Sequence, residues 1–335
     1  MTRMTRIPAP PAAPVGRRAV LWALAGVALG AAGCSGGTAP AAPPATPVRG
    51  TDASPTPSAA LPRTTGWHPT ASEVDPEVKL RAVRLVEAIG AWPAGHGGRA
   101  AARSRVAALG LPAALADQAG PLLPQADQAA LQVVDAQYGG ILADSASVLV
   151  VCRQWTRHGG TVTAGGTTVD VRLSRPAHGW TVDALHPAHP GPAAGSLDPD
   201  LRRALSDDRI VLPPAARADL RSGTVHADVA KAMLALAGPY RVDVSVVRSG
   251  HPLHVFGTGR LSDHPRGRAF DVWRIDGRAV VDPSTPRSLI ERFMRDAAAA
   301  GSYNVGGPVL LGGGGPGQFF SDATHHDHVH VGFTA

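Results

Sequence analysis

The sequence predicts an α+β protein with two folded parts, and three features lead to this prediction. Helical apolar spacing dominates residues 75 to 137, and valine-rich, strand-like runs follow it. A Pro- and Gly-rich stretch at 191–200 then separates a second part, in which helices and short strands alternate irregularly. Helices followed by a run of adjacent strands are typical of α+β domains rather than of a parallel βαβ sheet.

Residues 1–33 have the pattern of an export leader. Arg17 and Arg18 precede a short apolar run that ends in small residues and Cys34. This pattern predicts a signal peptide, and the run is too short for a comfortable membrane span. The paired arginines look like a twin-arginine signal, and Cys34 resembles the lipidated cysteine of a bacterial lipobox, although Ala31 stands where leucine is usual. We expect a protein lipid-anchored at the extracytoplasmic face of the membrane; a plain secreted protein is the alternative.

Charge and cysteine content exclude several classes of function. The net charge is +6, and four of these charges are arginines of the leader. The remainder holds no basic cluster with interleaved aromatics, so we expect no nucleic-acid binding. The glycine-rich loop at 312–317 lacks the Lys-Ser/Thr of a phosphate loop, so we expect no nucleotide binding. Cys152, the only other cysteine, lies in an apolar run and is expected to be a small buried hydrophobe without a disulfide partner.

The first folded part is predicted at 73–190, after a Pro- and Ala-rich tether at 34–72 that cannot bury a core. Asp75-Pro76 predicts the start of a helix that ends near Gly90, and Ala- and Arg-rich helical stretches continue to about Gln137. Glycine turns then separate four predicted strands, at 138–142, 147–156, 167–174 and 180–185. This order of elements is similar to the NTF2-like accessory domains of bacterial lipoproteins.

The second folded part is predicted at 201–335. Its expected helices are 215–221, 227–236 and 286–299, and its expected strands are 240–247, 255–258, 269–275 and 279–281, with a hairpin turn at Asp276-Gly277. The loop 312–317 is expected to form a flexible rim beside the site described next.

Two short segments of this second part carry the chemistry. The first runs from Ser262 to Asp271 and contains His264. A proline and Gly267 argue against a helix here, so we expect a loop that carries His264 and feeds a strand beginning at Ala269. The bend at Gly267 lets His264 and Asp271 converge. Imidazole and carboxylate donors suit Zn²⁺ and leave a position for water.

The second segment, 327–333, alternates as a half-buried strand does. His328 and His330 share one face, while the apolar residues between and after them face the core. Asp327 has the wrong parity for that face and reaches the site only from the loop before the strand. His325 and His326 are either residues that orient the metal ligands or members of an exposed loop.

The string Ser-x-His-x-x-Gly-x-Ala-x-Asp at 262–271, followed by His-x-His, resembles the zinc peptidases of the D-Ala-D-Ala carboxypeptidase family. The relatives of this family include lysostaphin-type and MepA-type peptidoglycan endopeptidases and the metal-binding domain of Hedgehog proteins. The resemblance implies a Hedgehog/DD-peptidase-like α+β domain at 201–335 with zinc ligands His264, Asp271 and His330. It also places Ser262 near the bound substrate.

The general base is where the chain departs from this family. Many of these carboxypeptidases have Glu-x-x-His, with the glutamate as base, whereas Asp327 stands three residues before His330 here. The endopeptidase branch has His-x-His, which corresponds to His328. Strand parity favours His328, and Asp327 remains the alternative. An arginine after an early strand can hold the substrate in this family, and Arg248 or Arg260 is expected to do so.

The expected function is zinc-dependent hydrolysis of peptide bonds in peptidoglycan stem peptides or cross-links. One alternative is a non-catalytic zinc-containing lipoprotein that binds peptidoglycan or a protein partner, as the Hedgehog case illustrates. Another is a metal-scavenging lipoprotein, which would have a closed ligand shell. A water-activating residue within reach of the metal discriminates the enzyme from both.

Overall fold

The computed structural model describes residues 60–177 and 179–334, and they form an α+β protein, as predicted. The predictions for the leader, for Cys34 and for the tether as far as residue 59 lie outside these residues. Within the described ranges, no helix is both long enough and apolar enough to cross a membrane. The described residues fall within one compact unit by their internal contacts.

The first half contains two helices and a four-stranded sheet. Their bounds are α1 Pro76–Gly90, α2 Gly98–Ala108, β1 Gln128–Ile141, β2 Ser145–His158, β3 Thr161–Ser174 and β4 Thr181–Pro187. The strands pair antiparallel in the order β1-β2-β3-β4, so the four predicted strands form one meander. The apolar face of α1, which includes Leu85 and Ile89, packs onto this sheet. Helix and sheet together form the core of the first half.

Two predictions for this half are wrong in their bounds. Strand β1 begins at Gln128, about ten residues before the predicted start, because Ala129, Leu131 and Val133 alternate as buried residues with their neighbours. Their alanine-rich context had suggested a helix. Residues 60–72 are ordered against the sheet rather than part of a tether: Thr65 exchanges hydrogen bonds with Gln132, and Trp67 packs on the core.

The second half contains four helices and a mixed sheet. Their bounds are α3 Pro199–Ser206, β5 Ile210–Val211, α4 Pro214–Arg221, α5 Ala227–Ala237, β6 Val242–Val244, β7 Ala269–Ile275, β8 Arg278–Ala279, α6 Arg287–Ala299, β9 Asn304–Gly306, β10 Phe319–Phe320 and β11 Val329–Gly332. The strand order is β10-β9-β11-β7-β6-β5, with β8 paired to β7. The apolar faces of α5 and α6 share one core with the inner face of this sheet.

Among the strands predicted for the second half, β7 and β11 are confirmed, the predictions at 240–247 and 279–281 overlap the shorter strands β6 and β8, and the one at 255–258 is wrong. The strand expected at 240–247 shortens to β6 because its pairing with β7 shifts register after Asp243, although Ser245 and Val246 still bond to Asp271. The strand expected at 255–258 is a turn, closed by the Val255 N–H bond to Arg260 O. This turn borders the cavity described below.

The two sheets contact each other directly. Leu149 and Val151 on β2 pack with Val246 to form a small buried cluster that is separate from the two main cores. The segment 191–200, predicted as a linker, is tied to the second half where Ala194 N donates to Arg221 O. The two halves therefore keep separate cores, and they bury a shared surface next to the strand that carries Asp271.

Candidate metal centre

A tight turn brings His264 towards the strand that carries Asp271. Gly267 has a φ of +70°, and its N–H closes the turn onto His264 O at 2.8 Å. A Cβ at this position would overlap the carbonyl oxygen of Thr224, so the turn requires glycine on two grounds. Strand β7 begins at Ala269, as predicted, and Asp271 is its third residue.

Strand pairing places His330 beside Asp271. Strand β11 runs antiparallel to β7, with His330 directly opposite Asp271 and Val331 opposite Phe270. Directly opposed residues share one face of a sheet, so the first pair faces the site and the second faces the core. Val331 and Phe270 are both fully buried in that core.

The three predicted ligands meet through one atom each. His264 Nε2, Asp271 Oδ1 and His330 Nδ1 are mutually 3.1 Å apart, so they form an equilateral triangle. Bonds of about 2.0–2.1 Å in a regular tetrahedral zinc site place neighbouring donor atoms about 3.3 Å apart. The triangle therefore fits three corners of such a site, and two imidazoles with one carboxylate are a donor set that zinc accepts.

Each ligand is oriented by a second contact. His264 Nδ1 donates to Val247 O at 2.7 Å, which directs Nε2 at the triangle. Burial lowers the pKa of His330 to about 4, so this imidazole is neutral and able to bind a metal at neutral pH. The remaining oxygen of Asp271, Oδ2, accepts a hydrogen bond of 2.7 Å from Gln137 Nε2.

Gln137 comes from β1 in the first half, and sequence reasoning missed it. Its side chain is fully buried, and its amide oxygen accepts a hydrogen bond from Ser245 Oγ. Both ends of the amide are thus engaged, and the amide fixes Asp271 so that only Oδ1 points at the triangle. The sequence predicts only that a helical stretch ends near residue 137.

His328 lies beside the triangle, with Asp327 behind it. His328 Nε2 is 3.8 Å from Asp271 Oδ1, and His328 Nδ1 donates to Asp327 Oδ1 at 2.6 Å. Although burial opposes it, the charges of Asp271 and Asp327 raise the pKa of His328 to about 9. Asp327 precedes β11 and contacts the outer nitrogen of His328, so His328 lies between Asp327 and the triangle.

The second oxygen of Asp327 contacts the first half of the chain. Lys79 Nζ on α1 lies 2.6 Å from Asp327 Oδ2, and Tyr138 N donates to the same oxygen at 3.1 Å. Lys79 is completely buried and also contacts Glu73. Burial alone would lower the pKa of Lys79, but the two carboxylates raise it, so the ammonium keeps its charge.

A second group of potential metal donors is occupied by this ammonium. Glu73, His326 and Asp327 each offer a donor atom, and these atoms lie within 4.8 Å of one another. Lys79 contacts both carboxylates, so the cation between them is the lysine itself. His326 accepts a hydrogen bond from Val74 N, which assigns it to packing of the two halves rather than to the triangle.

A cavity of about 620 Å³ borders the triangle. Its lining comes from residues between 138 and 142, 251 and 264, 303 and 304, and 317 and 325, together with His328 and His330. Ser262 and His325 lie in this lining, as does Gly317 of the predicted rim loop. The cavity therefore has one wall from the end of β1 and reaches His264 and His330 from the side on which His328 lies.

The two candidate arginines differ in position. Arg260 is the one Lys or Arg side chain among the described residues that line the cavity, and it is exposed. Arg248 is not in this lining: its guanidinium donates to Pro190 O at 2.7 Å and lies 3.7 Å from Asp219 Oδ1. The prediction that Arg248 binds substrate is therefore wrong for this structure, because Arg248 supports the contact between the halves.

His251 is a further cavity residue that sequence reasoning missed. Its ring stacks on His264 with centroids 4.0 Å apart, and one of its nitrogens lies within 4.8 Å of the ligand atoms of His264 and Asp271. Burial holds the pKa of His251 well below its usual range, so the ring is neutral. No motif marks this residue, and only the fold brings it to the site.

Cys152 is buried, as predicted, and its Sγ contacts Thr167 O. Burial raises the pKa of this thiol to about 12, which excludes it as a nucleophile at neutral pH.

Comparison of the chain with protein-family models, with curated proteins and with solved structures finds no match in any of the three.

Proposed function

We propose that this chain is a zinc-dependent peptidase that cleaves peptide bonds in peptidoglycan stem peptides or cross-links. The observation that carries the proposal is the triangle of donor atoms from His264, Asp271 and His330, each side 3.1 Å, at the wall of a cavity that also holds His328. The resemblance of 262–271 to the zinc peptidases supports the same chemistry. The predicted export leader supports a substrate outside the membrane.

The metal, His328 and Arg260 would each contribute a different step to hydrolysis. His264, Asp271 and His330 would hold the zinc ion, which would supply a Lewis acid for the scissile carbonyl and for a water nucleophile near neutral pH. Asp327 accepts the Nδ1–H of His328, so Nε2 is the nitrogen left for water or substrate. Part of the raised pKa of His328 comes from the charge of Asp271, and zinc bound to Asp271 would offset that charge and allow Nε2 to lose its proton. His328 Nε2 accepts the proton of the attacking water and returns it to the leaving amine. Arg260 offers a two-pronged donor for a substrate carboxylate or carbonyl.

The position of His328 favours hydrolysis over the non-catalytic alternative. In a binding lipoprotein the metal would only stabilise the structure. That role does not require a buried histidine beside the metal whose Nδ1 is held by a carboxylate. A metal scavenger needs a closed donor shell, whereas His264 and His330 both border a cavity of about 620 Å³. We propose the same lipid-anchored, extracytoplasmic location that the leader predicts.

The test compares zinc content and muropeptide digestion for the wild-type chain and three variants. His264→Ala is expected to lose both zinc and turnover. His328→Ala is expected to keep zinc and to lose turnover by about 10²–10⁴-fold, the range for a general base. His158→Ala, at an exposed histidine on β2, is the matched control and is expected to retain both.

Two outcomes would overturn the proposal. Turnover retained by His264→Ala would exclude the metal mechanism. Stoichiometric zinc in a wild-type chain that digests no muropeptide would favour the non-catalytic lipoprotein instead.

A further inference from the structure

Two buried polar side chains of the first half of the chain contact residues at or beside the triangle. Gln137 on β1 reaches Asp271, and Lys79 on α1 reaches Asp327. Both side chains are completely buried. Burial of a lysine and a glutamine is costly unless their partners satisfy them, so these contacts fix how the two halves pack. An accessory domain that only bound substrate elsewhere would need neither contact.

Gln137 acts on a ligand. Its Nε2 donates to Asp271 Oδ2 at 2.7 Å, while Asp271 Oδ1 is the atom that lies 3.1 Å from both histidine donors. A carboxylate with one oxygen held in this way presents the other oxygen alone. Ser245, which bonds to the amide oxygen of Gln137, prevents the amide from rotating away. The glutamine therefore selects one-oxygen ligation by Asp271 and fixes its direction.

Lys79 acts on the histidine beside the triangle. Its ammonium and Tyr138 N hold Asp327 Oδ2, so Asp327 Oδ1 remains for His328 Nδ1 at 2.6 Å. The chain of contacts Lys79–Asp327–His328 sets the rotation of the imidazole and the direction of its Nδ1–H. Glu73 is the second carboxylate that contacts this ammonium.

We propose that Gln137 and Lys79 are positioning residues of the metal centre, Gln137 through Asp271 and Lys79 through Asp327 and His328. The first half of the chain is thus part of the centre and is not a detachable accessory domain. This inference rests on the proposed function for the role of His328, but each residue has a readout that does not depend on turnover.

The readout for Gln137 is affinity for zinc alone, measured by competition with a chromophoric chelator on the full chain. Gln137→Met keeps the length of the side chain and removes the donor. It is expected to weaken zinc binding 10- to 100-fold, as loss of a contact that orients a ligand does. Gln132→Met is the matched control on the same strand, since the Gln132 side chain bonds, among the described residues, only to Thr65 and Val133. Equal zinc affinity of the two variants would overturn the role of Gln137.

The readout for Lys79 is the proton NMR signal of the His328 Nδ1–H, identified by its loss in His328→Ala. A proton in an imidazole–carboxylate bond of 2.6 Å is expected far downfield. In Lys79→Met the signal is expected to shift upfield or to broaden beyond detection, with zinc affinity within about threefold of wild type because no ligand is touched. Lys79→Met/Glu73→Gln removes one anion together with the cation and is the second variant if the single change fails to fold.

Turnover on muropeptides then tests whether Lys79 acts through Asp327. Lys79→Met is expected to lower kcat with little change in KM, and the effect is expected to vanish in an Asp327→Asn background because Lys79 acts through Asp327. An unchanged Nδ1–H signal in both Lys79 variants would overturn the role of Lys79. If the wild type binds zinc but cleaves nothing, the proposed function fails, while the affinity and NMR measurements still decide the positioning roles.

Discussion

The surroundings of Asp135, where the two halves meet, predict how the stability of the chain depends on pH. It lies on β1, two residues before Gln137, and its Oδ2 is buried without a hydrogen-bond partner among the described residues. The charged groups near it are Lys79, Glu73, Asp327 and His328. Burial, reinforced by the nearby carboxylates and only partly offset by Lys79, raises the pKa of Asp135 to about 7. An uncharged carboxyl group therefore suits this position better than a carboxylate does.

The sign and size of the effect on stability follow from linkage. The folded-state pKa of Asp135, about 7, lies above the ordinary value of 3.8, so the folded chain binds this proton more tightly than the unfolded chain. The contribution to the free energy of unfolding therefore falls as pH rises from about 4 to about 7 and is constant above that. A shift of this size corresponds to at most about 4 kcal/mol, at 1.36 kcal/mol per pKa unit.

The assay is urea unfolding of wild type and Asp135→Asn at pH 4, 6 and 8, with the metal removed by chelation. Asparagine cannot ionise, so the variant is expected to match wild type at pH 4 and to exceed its free energy of unfolding by about 2–4 kcal/mol at pH 8. Asp127→Asn, at an exposed aspartate next to β1, is the control and should show no such trend. A difference between Asp135→Asn and wild type that stays constant from pH 4 to pH 8 would refute the reasoning.

Three further predictions concern the turn, the cavity and the buried thiol. Gly267→Ala places a side chain at a φ of +70° and sets its Cβ against the Thr224 carbonyl oxygen. The substitution should therefore lower the free energy of unfolding by about 1–3 kcal/mol and weaken zinc binding. An unchanged urea midpoint would contradict this. Arg260→Gln should raise KM for muropeptides several-fold and leave zinc affinity unchanged, and an unchanged KM would remove Arg260 from substrate binding. Cys152 should resist thiol reagents in the folded chain and react once urea unfolds it, whereas rapid native labelling would show that the sheet opens there.

The residue types that meet at the triangle were predictable because their information is local, whereas the choice of His330 over His328 as a ligand came from the family resemblance. Two short segments carry the residue types, Gly267 marks the turn, and the alternation in 269–275 and 329–332 sets which side chains share a face. Pairing of β7 with β11 then follows from two apolar faces that need the same core. The helix α1 was predictable for the same reason, since its apolar spacing and its Pro start lie within fifteen residues.

The supporting residues were not predictable because their partners are distant in the chain. Lys79 is 248 residues from Asp327, and Gln137 is 134 residues from Asp271. One signal for Lys79 is present in the sequence: it stands three, four and seven residues before Ala82, Val83 and Val86, inside the apolar stripe of α1. A lysine in such a stripe needs a buried anion, but the stripe does not say which one. For Gln137, a register shift after Val133 breaks the alternation that would have placed it.

Charge balance in the buried centre gives the last prediction. Zinc bound by two neutral imidazoles and the Asp271 carboxylate has a net charge of +1. Bound zinc adds positive charge near Asp135, which favours its ionised form and lowers its pKa. The advantage of Asp135→Asn at pH 8 should therefore shrink when the urea series is repeated with saturating zinc. An advantage of equal size with and without zinc would place the metal beyond electrostatic reach of Asp135 and would count against the triangle as its site.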